Sequence, residues 1–546
     1  MPMNKFFKFL SGTVLAVSAC TPQADWYTEY GDATVGDPTV IQSVADDQVT
    51  ALYGGADAAA YNPDTPTKNI AVLLPLSGEN AEIGRGIRAA VETAVLARPI
   101  YNAAVSFYDV SGAPASRVDV MNAALGTHPE IIIGPVFADD VRRLREIKPK
   151  ETPVLAFSSD AAAMGDGVLT MALMPQQSIE TIVREMATDG AQRVVIMAPD
   201  TASGGWMARA AITAMDRYNV PVAGLFYYTE KNSDSIKDAA AGASMYAART
   251  AANTRAREVL ADILTNETLT AWEKDDLTLQ LDRISKTDTL GAVPFDAVLF
   301  LGDWADSKTL ASFLRYDGVG ARDARFYATA LWDGTPAMRD LTFNGAKMAT
   351  LPEMPGEFSA VYEMVAGRAP TRLDAFGYDA ANLAMGAMNS GRPVPAYLLD
   401  PSGYSTAGGL VRLRPSGISE RALRVVQLNA SDTPRAVRAA ASNFITPIYN
   451  MGDVAPARPA AMGIQTRGIN PAEHITIPAR FVAAYPMQTY GATIATAAAT
   501  DAPGTPDAVA VIVPDDDGTV ITNPDFQPVS LGPIRRTMIE SVEIAE

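Results

Sequence analysis

Short unbroken apolar runs alternate along this chain with stretches in which apolar residues return every three or four positions. The first pair is the clearest. Residues 70–74 are wholly apolar and stop at Pro75, Ser77 and Gly78; Ile83, Ile87, Val91 and Val95 then recur at intervals of four. A continuous run of that length predicts a strand covered on both faces, and the four-residue period predicts a helix that packs one side back onto the sheet. Residues 105–108, 131–133 and 154–157 read as further strands, with helices predicted around 117–125 and 141–147. Strand alternating with helix implies right-handed βαβ units and a parallel sheet. Ligands of such sheets bind at the turns beyond the carboxyl ends of the strands, which singles out Ser77 and Gly78. Gly84 and Gly86 fall inside the predicted helix, so no glycine-rich phosphate fingerprint accompanies the turn.

A second series of the same kind begins near residue 168. Residues 170–173 carry the chain across, a helix follows over 179–189, and strands are predicted at 194–197, 222–228, 297–301 and 326–328. Two α/β series of similar size predict two lobes of one architecture. Residues 233–289 are charged and alanine-rich without strand runs, and read either as a helical insertion or as exposed helices of the second lobe itself. Residues 408–417 with a return through 423–428 read as a hairpin turned by Pro415, Ser416 and Gly417. Beyond them, residues 442–546 are dominated by Pro, Ala, Thr and Asp and read as a largely irregular tail. Residues 20–68 are polar, broken by Gly and Pro, and read as a flexible tether.

Composition narrows the function. At 546 residues and 48% hydrophobic the chain buries one large core or two medium ones. Its formal net charge of −18 excludes nucleic acid as the expected partner, because phosphate binding needs a basic surface. Two histidines and one cysteine, His128, His474 and Cys20, leave no zinc-site spacing and argue against a Ser-His or Cys-His catalytic pair. No metal and no cofactor are expected. The N-terminus carries the most specific signal: Lys5 and Lys8, a short apolar segment to Val17, then Ser18-Ala19-Cys20. Residues 1–19 read as a secretory signal peptide, too short to span a bilayer as a mature helix. The junction resembles the bacterial lipobox, which makes Cys20 the lipidated first residue of the mature protein. Thr21 in place of an aspartate points to the periplasmic face of the outer membrane.

Taken together, five motifs carry a family resemblance: residues 70–86 with their Leu-Leu-Pro-Leu-Ser-Gly core, 133–137, 153–159, 331–333 and 376–380, in that order. They resemble the leucine/isoleucine/valine-binding-protein-like family of periplasmic type 1 binding proteins, and within it the penicillin-binding protein activator lipoproteins. The resemblance spans about residues 68–430. It implies an α/β fold of two lobes with parallel sheets flanked by helices over residues 69–441, and a cleft between the lobes. In transport members of that family the cleft holds an amino acid, its carboxylate on small-residue N–H groups and hydroxyls, its ammonium on an acid. Carried onto this chain, the first-lobe wall is Ser77, Gly78, Gly134, Phe137, Ser158 and Ser159. The second-lobe wall is Trp206, Asp303, Trp304, Trp332 and Asp333. Phe137 and Trp332 serve equally well as interlobe packing.

Three functions follow. The resemblance implies a non-enzymatic, lipid-anchored protein that binds and regulates a peptidoglycan synthase. The alternative is the solute receptor of a branched-chain-type amino-acid ABC importer, with an importer permease as partner. A glycan-cleaving enzyme would need two carboxylates at a working separation, and nothing in the sequence fixes a pair among Asp303, Asp333 and Asp379.

Overall fold

The computed structural model describes residues 39–42, 68–97, 103–320, 322–444 and 458–491. The expected signal peptide and lipidated Cys20 lie outside them.

The first apolar run becomes β2 (Lys68–Leu74), five of its residues buried, and the four-residue period becomes α1 (Ala81–Ala97). The chain then continues through β3 (Ala103–Asp109), α2 (Pro114–Leu125), β4 (Ile131–Ile133), α3 (Ala138–Ile147), β5 (Val154–Ala156) and β6 (Val168–Thr170). With β1 at residues Thr39–Gln42, the strands order as β1-β3-β2-β4-β5-β6, with β2 to β6 parallel. Chain order reverses on either side of β2, so the turns after β2 and β4 flank the switch point, where open α/β sheets place ligands. The edge strand β1 (Thr39–Gln42) pairs antiparallel with β3. Residues 39–42, within the segment read as a flexible tether, thus contribute a strand to the first lobe.

The second lobe repeats the plan. Its elements are α4 (Pro175–Thr188), β7 (Val194–Pro199), α5 (Ala202–Arg217), β8 (Val222–Tyr228), α6 (Ser233–Ser244), α7 (Tyr246–Leu264), α8 (Ala271–Ile284), β9 (Ala297–Phe300), α9 (Trp304–Tyr316), β10 (Arg325–Ala328) and β11 (Lys347–Thr350). Its strands order as β8-β7-β9-β10-β11, all parallel, the same arrangement as β3-β2-β4-β5-β6. Each sheet is covered on both faces, so each lobe has two apolar layers. The lobes share a detail of close packing as well. A Cβ on Gly84 would run into the Pro75 carbonyl oxygen, and one on Gly204 into that of Pro199. In both lobes a glycine in the first turns of the helix lets it sit against the end of the first strand.

Three passages connect the lobes. The chain leaves the first lobe between β6 and α4, and returns after β11 to α10 (Gly356–Ala366) and α11 (Arg372–Asn389), which pack on α1. It leaves again after β14 (Ser419–Arg421) to β15 (Arg424–Gln427) and β16 (Arg435–Arg438) of the second sheet. Here the expected hairpin is corrected. The strand that returns against β13 (Gly409–Leu413), itself paired with β12 (Tyr404–Thr406), is β14, whereas β15 pairs antiparallel with β11. Ser419-Glu420-Arg421 carries no apolar pattern, so the return strand was hidden. Its charges are buried in pairs: Glu420 on Arg412 at 2.6 Å and Arg421 facing Asp379 at 3.6 Å.

Residues 233–284 form three helices. Helix α6 packs on β8 and α9 as one of the lobe's own covering helices, while α7 and α8 pair as a hairpin with a separate apolar cluster. Residues 458–491 complete that cluster with Ile469, Ile475 and Phe481, all buried. On the way they bridge Met462 to Leu225 on the edge strand β8 and bury Ile464 in the second lobe. This part of the tail is irregular in secondary structure yet packed as a strap. Among the described residues no helix is long and apolar enough to cross a membrane.

Candidate functional site

The candidate site is built from the turns at the carboxyl ends of β2, β4 and β5 in the first lobe and β7, β9 and β10 in the second. In the first lobe, Asp109 at the end of β3 organises the turn after β2. It accepts from the Leu76 amide at 2.9 Å, from the Ser111 amide at 3.0 Å and from the Ser111 hydroxyl. The Ser77 amide donates to Ser111 Oγ at 3.1 Å. Burial opposes ionisation of Asp109, but its hydrogen bonds with Ser111, Ser77 and Leu76 together outweigh burial and hold its pKa below the usual carboxylate value. Ser77 and Gly78 stand exposed on this turn, with Gly78 at φ +70°.

Gly134 lies buried at the switch point. It has φ +89°, and a Cβ there would strike the Leu73 carbonyl oxygen, so only glycine closes this turn. Phe137, next along the lip, is 37% exposed. Ser158 is buried; its hydroxyl accepts from the Asp160 amide at 3.1 Å and its carbonyl accepts from the Thr170 hydroxyl at 2.6 Å. Ser159 is exposed beside it. Asp160 caps the single turn Ala161–Ala163 and pairs with Arg142 of α3.

The second-lobe residues are committed differently. Asp303 caps α9 by accepting from the Asp306 amide at 2.8 Å. Trp304 follows it, partly buried against the lobe's apolar core. Trp332 is fully buried, 4.2 Å ring to ring from Phe343 and 5.6 Å from Phe300, and its indole N–H donates to the Gly302 carbonyl at 3.2 Å. Its one donor is satisfied inside the lobe and none of its surface is open, so it packs within its own lobe, not between the lobes. Trp206 packs on the apolar layer beneath α4 and α5, along the side of the lobe.

Asp333 is where the described contacts join the two lips. Arg372, the first residue of α11 in the first lobe, donates through Nε to Asp333 Oδ2 at 2.7 Å. The same guanidinium donates to the Pro352 carbonyl at 2.6 Å and the Leu351 carbonyl at 3.3 Å on the passage between lobes. Three donors of one planar fork thus bolt a second-lobe acid to the first lobe. In the amino-acid-binding pattern an acid in this wall receives the ligand's ammonium; here a guanidinium of the chain stands before Asp333.

A second polar network lies behind the first. Gln177 of α4 donates to the Ser419 carbonyl and accepts from the Arg421 amide at 2.8 Å, so its amide group pairs with β14 as a strand would. Arg421 has no exposed surface; it donates to the Met171 carbonyl at 2.6 Å and stacks 4.1 Å from the Phe376 ring centroid. Asp379 accepts from the Thr406 hydroxyl at 2.8 Å and the Gly408 amide at 3.1 Å. Burial lowers the Arg421 pKa to about 10 and raises that of Asp379. Arg372, Gln177 and Arg421 escaped the sequence reading because each acts through backbone groups far along the chain, and Asp109 because the turn it organises lies 33 residues earlier. The capping residues Thr371 and Asp374 around Arg372 were the nearest local signal. Among the described residues no group of three or more His, Cys, Asp or Glu stands ready to hold a metal ion.

Against known proteins, residues 61–234 match the family described as "LppC putative lipoprotein". A Rhodospirillum rubrum protein, provisionally described as a branched-chain amino acid ABC transporter, superposes with a TM-score of 0.51 and 16% identity, covering 68% of this chain and 100% of its own. Haemophilus influenzae LpoA matches at a TM-score of 0.47 and 16% identity, over 69% of this chain and 59% of that one. The C-domain of LpoA from the same organism, described as a regulator of PBP1A, matches at 0.46 and 16%, over 68% and 100%. No curated protein matches. The architecture is that of a two-lobed periplasmic binding protein of type 1, as the motif order implied.

Proposed function

We propose, with the match of residues 61–234 to a lipoprotein family as premise, that the chain is a lipid-anchored regulator of a peptidoglycan synthase in the cell envelope, without enzymatic activity of its own. That match is the observation that carries the reading, and the five ordered motifs of the sequence support the same branch. Cys20 is its anchor, the periplasmic face of the outer membrane its location, and a synthase of the penicillin-binding-protein class its partner. Several acyl chains at about 0.8 kcal/mol per buried CH₂ make such an anchor durable.

The geometry favours a regulator over a solute receptor at one point. Asp333, the acid that would hold a ligand's ammonium, is engaged by Arg372 at 2.7 Å, and Trp332 is buried in its own lobe. An amino acid would have to displace a guanidinium held by three acceptors. The test pairs two measurements on the purified mature protein. A glycan-polymerisation assay with the organism's synthases should show stimulation. A thermal-shift screen of the common amino acids should show none, where a ligand at 100 times its Kd would add about 2.7 kcal/mol of stability. No stimulation of any synthase, together with a clear amino-acid shift, would move the chain to the receptor class.

A further inference from the structure

We propose that the outer face of α8 is the surface through which the chain docks on its synthase, and that the partner presents an apolar pocket rimmed by lysine or arginine. The proposal rests on the regulator reading and adds to it the place of contact and its chemistry.

The α7–α8 hairpin is built to be rigid. Thr270 and Glu273 form a reciprocal cap at the start of α8, and Arg480 of the strap grips Glu273 through both carboxylate oxygens at 2.6 and 2.8 Å. Gln280 exchanges hydrogen bonds with both the amide and the carbonyl of Thr476, at 2.8 and 3.0 Å. The inner side, with Leu277 and Ile284, is closed by Ile475 and Phe481. The outer side has no such cover among the described residues. Trp272 is 76% exposed and Leu279 is 68% exposed. They stand seven residues apart, two helical turns, and therefore on one face about 10 Å apart along the axis. A tryptophan left in water on a firmly capped helix costs solubility without adding to the fold, and tryptophan is among the residues that most often anchor protein interfaces.

Charge selects the occupant. Asp275 lies exposed between Trp272 and Leu279 with Lys274 exposed beside it, Asp276 accepts from Gln280 and Asp282 pairs with Lys286, so Asp275 is the acid on this face, and the protein as a whole carries −18. A second copy would bring acid against acid. The chain's own residues 492–546 contain nine acidic residues and two arginines, and meet the same repulsion. A basic, apolar patch on another protein is the complement of this face.

The experiment uses the full mature chain and each full-length penicillin-binding-protein synthase of the organism, purified in detergent, with affinity read by biolayer interferometry. Wild type should bind one synthase. The variant W272S/L279S should bind at least ~10-fold more weakly, as expected for loss of a hot spot, and W272F should recover much of the affinity. D275K should slow association and flatten its salt dependence. Both apolar side chains are solvent-exposed, so the variants should melt with wild type, and the M364S variant, at an equally exposed apolar position on α10 of the first lobe, should bind as wild type. Equal binding by wild type and W272S/L279S overturns this surface while leaving the regulator reading intact. Absence of binding by wild type to every synthase overturns both. A dimer in sedimentation that W272S/L279S abolishes assigns the face to a second copy and also overturns the proposal.

Discussion

Asp109 holds one lip of the cleft by accepting from the Leu76 amide, 33 residues earlier, and from the Ser111 amide and hydroxyl, so its removal tests the turn without emptying the core. Replacing it with alanine leaves the Leu76 and Ser111 amides without their acceptor, and should cost about 1–2 kcal/mol, the lower part of the range for bonds to a charged group because the site is half open to water. The sign with pH is fixed by the depressed carboxyl. Stability from Asp109 is complete above the unfolded-state value near 3.8 and is lost as pH falls through the lower folded value. Urea midpoints between pH 2 and 7 should therefore show a weaker acid limb in Asp109→Asn than in wild type; an unchanged limb would remove this role. Deeper in the lobe the balance is different. Asp379 and Arg421 have no exposed surface, so deleting one partner strands the other's charge, and Arg421→Met should cost about 3–5 kcal/mol. The double variant Asp379→Ala/Arg421→Met should cost less than the sum of the two singles, a coupling that a denaturation cycle measures directly.

The strap of residues 458–491 makes the same kind of claim at the level of an element. Ile464, Ile469, Ile475 and Phe481 are buried by it, each worth about 1.5–3 kcal/mol when fully taken from water, and Met462 covers the free edge of β8 at Leu225. A chain ending at residue 457 should keep its first lobe and lose protection in β8, α7 and α8. Hydrogen exchange followed by mass spectrometry reads that difference, and uniform protection across both lobes would show the strap to be ornamental. Elements of this sort mark where the sequence stopped being legible. The strands β2, β4, β5, β7 and β9 announce themselves because parallel strands covered on both faces must be continuously apolar. The strap has no period, since it packs by single side chains dropped at irregular intervals onto surfaces made elsewhere. Strand β14 reads as polar because its charges find buried partners in Arg412 and Asp379, which no local pattern reveals. In the candidate site the positions after the strands were legible from topology alone. What each side chain does there was not: Trp332 turned into core, and the partner of Asp333 came from a helix 39 residues onward.

That partner decides how the whole molecule moves. Two lobes joined by three passages open and close by small rotations at those passages unless something ties the lips together. Arg372 ties them. It belongs to the first lobe through α11, lies against the second passage through the carbonyls of Leu351 and Pro352, and reaches Asp333 on the far lip. Both side chains are mostly buried, at 23% and 10% exposure, so water competes poorly for the pair. A charge-assisted bond in that setting contributes about 2 kcal/mol, enough to shift an otherwise even open-to-closed balance roughly 30-fold toward the latched state. A receptor needs the opposite, a cleft that stays open until its ligand closes it. Arg372→Met, which keeps much of the aliphatic stem and removes the fork, should therefore broaden the interlobe distance distribution of a fluorophore pair placed on α2 and α9, and raise the radius of gyration in solution scattering. Asp333→Asn should do the same more weakly, because the two carbonyl bonds of Arg372 survive. Indistinguishable distributions in wild type and Arg372→Met would show that the passages alone set the angle between the lobes, with the ion pair following from that angle.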